Sequence, residues 1–312
     1  MSDTIDYARL FAEHRPRLWG LAYRMTGSAS EAEDLVQETF ARALERPPVD
    51  RERPWGPWLV TVATRLAIDA LRRRQRRGYT GAFLPVPLDP DTMATLMPSR
   101  DGTERYETLD SLSFGFMLAL ESLSSTQRAV LVLRDALGYS GPETAAILAI
   151  TPENVRTTLV RARRVMAEHR RTAASPDPLH HRRAVALLQR FMQAAATGDV
   201  DELVACLADD ARLVADGGGR YLSPLRPLES PDHIVRFVLG VVAKATGFQS
   251  AWTELNGAPA LLLRTEGAML SRAPPRTAVR IELDAAGDRI TEIHLLSNPE
   301  KIEHLPFPSA VS

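Results

Sequence analysis

The side chains best suited to chemistry in this sequence are arginines held close together. Arg156, Arg161, Arg163 and Arg164 form one group, and Arg72, Arg73, Arg74, Arg76 and Arg77 form another. A guanidinium stays charged and presents a planar fork of donors, which suits phosphate oxygens and the O6/N7 edge of guanine. On a helical wheel of residues 152–168, Val155, Leu159, Ala162 and Met166 share one narrow face, and Glu153, Thr157, Arg161 and Arg164 take the opposite one. Such a helix buries its apolar stripe and turns a polar, cationic face outward. Asn154 can pair with adenine, Thr157 with a phosphate or a thymine methyl, and Arg156 adds a further cation. The plain alternative for both arginine groups is a solvated helix end stabilised by its dipole.

Other chemistry is thinner. Asp216-Gly217-Gly218-Gly219-Arg220 places a carboxylate ahead of three glycines, which allow positive φ or a close backbone approach. The helix and Lys-Ser/Thr of a P-loop are missing, so a tight turn is the plain reading. Asp216, His233 and His294 would supply acid/base chemistry only if they converged in a cavity, and single histidines are more often surface or core residues. No His/Cys/Asp grouping has metal-ligand spacing, and Cys206 alone gives neither a zinc motif nor an internal disulfide. Neither a metal nor a cofactor is expected.

Positioning these groups falls to more than one core, since 312 residues with 45% hydrophobic content suit about two domains. The net charge of −1 offers no bulk attraction to nucleic acid, so DNA binding would rest on the local clusters. There is no signal peptide and no apolar run long enough to span a bilayer, so a soluble, cytoplasmic chain without membrane contact is expected. Residues 1–77 read as a compact helical domain. Phe11, Leu18, Leu21 and Met25 share a face of the first helix, which Gly27 ends. Ser30 with Glu33 reads as a capping box opening a second helix, with Val36, Phe40 and Ala43 inward. A third follows Pro57, with Trp58, Val62, Leu66 and Ala70 inward, and ends in the first arginine group.

From 78 to 113 the periodicity lapses among prolines, and the apolar stretch Phe83 to Leu88 suits a docking surface better than solvent. Residues 114–172 are helical again. Ser140 with Glu143 opens a short helix, and Thr151-Pro152 caps the cationic one, so the pair reads as a helix-turn-helix. Beyond 178, helical stretches at 180–197 and 231–245 alternate with strand-like runs, which implies helices on a curved, mainly antiparallel sheet over 179–305.

Three ordered motifs then resemble a family. Asp34-Leu35-Val36-Gln37-Glu38-Thr39-Phe40 is similar to region 2.2 of bacterial sigma factors. Trp58 to Ala63 and Asp69 to Arg73 resemble regions 2.3 and 2.4, and Leu123 to Arg128 with the helix-turn-helix resembles region 4. The chain thus resembles the extracytoplasmic-function sigma factors of RNA polymerase. The resemblance implies two all-α sigma domains, region 2 at 1–77 and region 4 at 114–172, joined by a linker at 78–113.

Asp34, Gln37 and Glu38 would then dock on the β′ clamp helices of the core polymerase, with region 4 on the β flap. Arg65, Arg72 and Arg73 would serve the −10 promoter element, and Glu153, Asn154, Arg156, Thr157, Arg161 and Arg164 the −35 element. Many relatives carry Asn where Arg65 stands, so base preference does not transfer. Asp69 is expected to fix Arg65 or Arg73 rather than touch DNA.

The C-terminal part resembles a SnoaL-like α+β cone attached to some sigma factors. The likeness runs through Phe83, Leu84, Pro85, Pro87 and Leu88 (WLPEPL), Asp216, Gly217, Gly218, Gly219 and Arg220 (DGGGK), and Asn298 and Pro299 (NPDKL). There these motifs accompany intramolecular control, which implies a regulatory domain rather than an enzyme. The competing class is a conventional DNA-binding transcription regulator with a ligand-sensing or enzymatic C-terminal domain, which would bind duplex DNA tightly without polymerase.

Overall fold

The computed structural model describes residues 6–50, 53–96, 111–170, 178–221, 223–266 and 273–309. The chain divides into two compact units. One comprises Met1–Gly78, Ala94–Leu112 and Phe116–Glu168, the other Tyr79–Met93, Ser113–Gly115 and His169–Ser312.

The first unit is all-α. Helices α1 (Tyr7–Thr26), α2 (Ala29–Glu45) and α3 (Trp55–Arg77) pack together, and α1 ends on Gly27 with φ 69°. The cap of α2 is Ser28, whose hydroxyl accepts from the Glu31 N–H, and not Ser30. Because Gly27 turns the chain in the left-handed region, the next residue is already extended and takes the cap; Glu33 pairs with Arg15 at 2.7 Å instead. Likewise α3 begins at Trp55, two residues before Pro57, since a first-turn proline lacks only an N–H that would be unpaired anyway. Its inner face is therefore Leu59, Ala63, Leu66, Ala67 and Leu71, whereas Trp58, Val62 and Ala70 are half-buried on a neighbouring stripe.

After the short α4 (Pro90–Leu96) and α5 (Phe114–Leu120), α6 (Ser125–Leu131) runs into a single π-helical turn, Val132–Ala136. Then come α7 (Gly141–Leu148) and α8 (Pro152–Arg170). Inside this unit α3 packs on α6 and α7, and Arg17 lies over the Tyr139 ring at 4.9 Å. A buried polar network joins the two halves. Glu121 accepts from Arg74 at 2.5 Å and from Arg128 at 2.6 Å, and Arg128 Nε donates to the Arg24 carbonyl at 2.7 Å. Arg24 in turn donates to Ser111 Oγ at 2.7 Å, and burial brings its guanidinium down to about 10.

The second unit is α+β. Its mixed, open sheet runs β2-β1-β6-β5-β4-β3, built from β1 (Leu207–Asp216), β2 (Leu228–Glu229), β3 (Gly247–Leu255), β4 (Ala258–Glu266), β5 (Arg276–Leu283) and β6 (Ile290–Leu296). All neighbours are antiparallel except β1 and β6. The β3–β4 hairpin closes on Asn256-Gly257 with φ of 52° and 74°, the positive pair that a two-residue type I′ turn requires. Helices α9 (Pro178–Thr197), α10 (Val200–Cys206) and α11 (Pro231–Val242) build the core with one sheet face, through Leu188, Phe191, Leu203 and Ile234 against Leu213, Val279, Ile281 and Ile293. Alternation sends Asp216, Arg280, Glu282 and His294 to the other face.

Candidate functional site

Three surfaces carry the residues singled out from the sequence. On α8, Val155, Leu159, Ala162 and Met166 are buried, while Glu153, Asn154, Arg156, Thr157, Arg161 and Arg164 are all exposed. Thr151 Oγ1 accepts from the Asn154 N–H at 3.2 Å and starts the helix, and Ser140 with Glu143 forms a complete capping box on α7. Ala149, at φ 54°, makes the tight turn between α7 and α8. Within the helix, Arg156 forks onto Glu153 at 2.6 and 3.2 Å, which holds that carboxyl below its usual range. Arg163 is drawn aside to Asp135 at 2.7 Å.

On α2 and α3, Asp34, Gln37 and Glu38 are exposed along one side, with Glu38 paired to Arg42 at 2.9 Å. Arg65, Arg72 and Arg73 are exposed too. Arg65 lines a hollow of about 540 Å³ with Trp58, Val62, Arg42 and Arg46. The half-buried Trp58 and Val62 stripe thus forms one wall of a hollow of mixed charge, since Glu38 and Glu45 line it beside the three arginines. Asp69 stands 3.9 Å from Arg72, not beside Arg65 or Arg73 as expected, because the i,i+3 spacing brings it there first.

The third surface lies within the α+β unit. Asp216, at the end of β1, is buried beneath the connector segment Tyr79–Met93, and its carboxylate accepts four hydrogen bonds. They come from Tyr79 Oη (2.6 Å), the Leu84 N–H (2.9 Å), the Gly218 N–H (3.1 Å) and Lys301 Nζ (2.8 Å). Lys301 also donates to the Leu84 carbonyl and sits 3.3 Å from the Phe83 ring centroid. Burial, then the bond to Asp216, pushes the Tyr79 phenol well above its usual value.

Asn298 caps the short helix α12 (Pro299–Ile302) through its Oδ1 and donates from Nδ2 to Tyr79 Oη at 2.9 Å. Leu84, Pro85, Val86, Pro87 and Leu88 are all buried. Further along, Leu88 exchanges two bonds with Asn256, N–H to Oδ1 at 3.0 Å and carbonyl to N–H at 2.8 Å. His304 Nε2 lies 3.1 Å from the Pro87 carbonyl. Gly217, Gly218 and Gly219 make the turn after Asp216, and Arg220 pairs with Glu300 at 2.8 Å on the surface.

Of the predicted regulatory set, the structure brings Phe83, Leu84, Pro87, Leu88, Asp216, Gly217, Gly218 and Asn298 together, with Pro85 buried in the same segment and Gly219 against Thr80. Arg220 remains exposed, and Pro299 begins α12. Lys301, which lies in the same short motif as Asn298, completes the cluster with Tyr79, Asn256 and His304, which were not singled out from the sequence. Phe114 is a second anchor, fully buried under the Arg280 guanidinium (4.6 Å to the ring centroid) and beside His294 (5.1 Å).

Asp216 and His294 face away from the helix-covered side of the sheet, and His233 lies exposed on α11, so these three do not converge in a cavity. Among the described residues no group of three or more His, Cys, Asp or Glu is placed to hold a metal ion, and no helix is long and apolar enough to cross a membrane.

Comparison with known proteins places these surfaces in a lineage. The Sigma-70 region 2 family matches residues 10–77, and the Sigma-70, region 4 family matches residues 114–166. The chain is 33% identical over 237 residues to the ECF RNA polymerase sigma factor SigJ of Mycobacterium tuberculosis, covering 75% of this chain and 72% of that one. It is 32% identical over 225 residues to SigG of the same species, covering 66% of this chain and 60% of the relative. The crystal structure of the M. tuberculosis SigJ matches with a TM-score of 0.71 at 26% identity, covering 96% of this chain and 100% of that one. With two sigma regions in order and a SigJ-like α+β unit after them, the chain belongs to the extracytoplasmic-function sigma factors.

Proposed function

We propose that this chain binds core RNA polymerase and directs it to promoters, and that its α+β unit sets how often by holding the connector. The observation that carries the reading is the ordered pair of sigma regions in a chain similar to SigJ over most of its length. In region 2, Asp34, Gln37 and Glu38 form the acidic and polar face for the β′ clamp helices. Arg65, Arg72 and Arg73 follow the −10 strand, with the Trp58-walled hollow suited to an unstacked base. In region 4, which also docks on the β flap, α8 enters the major groove at −35. Arg161 and Arg164 contact guanine or phosphate, and Asn154, Thr157, Glu153 and Arg156 contribute base-edge or backbone contacts.

A regulator suits the α+β unit better than an enzyme. Its buried carboxylate, Asp216, accepts two of its four hydrogen bonds from the connector, with Lys301 as counter-charge. The connector residues 79–93 lie between the two sigma regions in sequence, so freeing them changes the tether between region 2 and region 4 without touching either DNA surface.

Reconstitution with core polymerase and a promoter library tests the reading. Promoter-specific transcripts are expected only with core present, and Asp216→Ala is expected to change their yield while leaving the selected −10 and −35 sequences alone. Tight sequence-specific duplex binding by the chain without core would overturn the sigma assignment. Unchanged yield with Asp216→Ala would overturn the regulatory one.

A further inference from the structure

The helix-covered side of the α+β sheet is not filled. Between α9, α11 and the sheet lies a cavity of about 110 Å³, walled by Phe191, Phe237, Phe248, Leu213 and Val279. Helix α11 shows the consequence: only Ile234 and Val235 are fully buried, while Phe237, Val238, Val241 and Val242 lie half-buried along the opening. Apolar side chains left in that state forgo burial worth about 25 cal/mol per Å². Most of the lining is apolar, so the greater part of the space suits an apolar occupant better than water. Among the described residues no charged side chain lines the space, which disfavours an ionic guest. Four hydroxyls do line it, from Ser223, Thr265, Thr277 and Ser297, and Thr277 Oγ1 bonds Ser297 Oγ at 2.9 Å. Each hydroxyl of that pair retains capacity for another partner.

The same strands carry the connector cluster. Along β1, Leu213 and Ala215 face the cavity, and the next residue, Asp216, turns to the connector. Along β6, Ile293 and Leu295 face the cavity, followed by Ser297 in the lining and then Asn298, which holds Tyr79. The Ser297 and Asn298 N–H groups both donate to the Asp216 carbonyl, at 2.8 and 2.9 Å. Ser223 packs on the glycine turn so tightly that a Cβ on Gly217 would lie 3.1 Å from its own Cβ. A guest that moves Ser223 or the Thr277–Ser297 pair therefore moves the residues that grip the connector.

We propose that this cavity is an effector site for a neutral, single-ring-sized, mainly apolar molecule bearing one hydroxyl, and that occupancy is transmitted to the connector through the ends of β1 and β6. This rests on the regulatory reading of the α+β unit. The volume is well below the roughly 300 Å³ of pockets that take drug-sized ligands, which sets the single-ring limit.

Phenol is a suitable probe, with benzoate as the charged control, on the full chain. Calorimetry is expected to show saturable phenol binding and none for benzoate, and hydrogen exchange is expected to change at the Leu84 and Leu88 amides when phenol is bound. Val279→Phe fills the space and should abolish binding. Thr277→Val keeps the volume and should weaken phenol by about fivefold, one hydrogen bond's worth, so the proposal stays testable if the Phe variant does not fold. Absence of saturable phenol binding, equal binding of benzoate, or phenol affinity unaltered in both variants overturns the site. Binding with no change at Leu84 and Leu88 overturns the coupling. If the site and coupling hold while Asp216→Ala leaves transcription unaltered, it is the regulatory reading that fails and not the cavity.

Discussion

At the scale of single residues, the α+β unit is organised around one ion pair out of water. Asp216 is almost fully buried, and Lys301 is its only cationic partner among the described residues. Removing the carboxylate leaves an ammonium in a low-dielectric site, which costs about 3–5 kcal/mol for a pair this deeply buried. Asp216→Ala is therefore expected to lower the unfolding temperature of this unit and to speed hydrogen exchange at Leu84, which loses its acceptor. Tyr79 adds a pH limit. Its phenol is raised by burial and by Asp216, so its contribution is complete below the unfolded value near 10 and is lost as pH rises through the folded value. Connector protection should thus be flat across neutral pH and fall only in strong alkali, as read by exchange or by Tyr ultraviolet titration. On α8 the arginines separate by role: an Arg161→Ala or Arg164→Ala that removes a base contact should cost about 1–3 kcal/mol at one −35 position. One that removes a phosphate contact should weaken all promoters alike, and a randomised −35 library tells the two apart.

At the scale of elements, caps and turns decide where these residues stand. Gly218 has φ 59°, and a Cβ there would lie 2.6 Å from Asn298 Cγ, so Gly218→Ala strains the turn and pushes on the residue that holds Tyr79. The expected cost is about 1–3 kcal/mol, seen as faster exchange across residues 79–93 with α8 untouched. Much of this level was legible beforehand. The α8 stripe, the α7 capping box and the five longer strands follow from local periodicity and cap chemistry, which act over a few residues. What failed also failed locally: the α2 cap moved from Ser30 to Ser28 because Gly27 reset the backbone, and the inner face of α3 shifted when Pro57 proved to lie inside the first turn. The connector cluster was only half legible. Phe83 to Leu88, Asp216, Asn298 and Lys301 lie in recognisable short motifs, but Tyr79, Asn256 and His304 join through long-range pairing that no spacing along the chain encodes. A cavity in the C-terminal unit follows from the resemblance, but which residues wall it was not legible, since they read as ordinary amphipathic patterning.

At the scale of the whole molecule, the two sigma regions share one compact unit, and the contact between them is polar at its centre. Arg74 belongs to the arginine group at the end of α3, yet it is turned to Glu121 and the Thr26 carbonyl, while Arg128, fully buried, shares Glu121. Buried ion pairs add little net stability, but breaking one by removing a single partner is costly. Loss of Glu121 is therefore expected to loosen the contact, since both arginines depend on it. Loosening would also return Arg74 to its neighbours Arg72 and Arg73 on the −10 side. Glu121→Ala is expected to weaken the contact by roughly 2–3 kcal/mol, less than for a fully buried pair because Glu121 keeps some solvent. Energy transfer between dyes on the exposed faces of α2 and α8 should then report a longer mean distance in the full chain, with helical content unchanged. Arg74→Met, which removes a cation but leaves Glu121 paired with Arg128, should lengthen it less. If both variants keep the wild-type distance, the two regions are held by the apolar packing of α3 on α6 and α7, and not by Glu121.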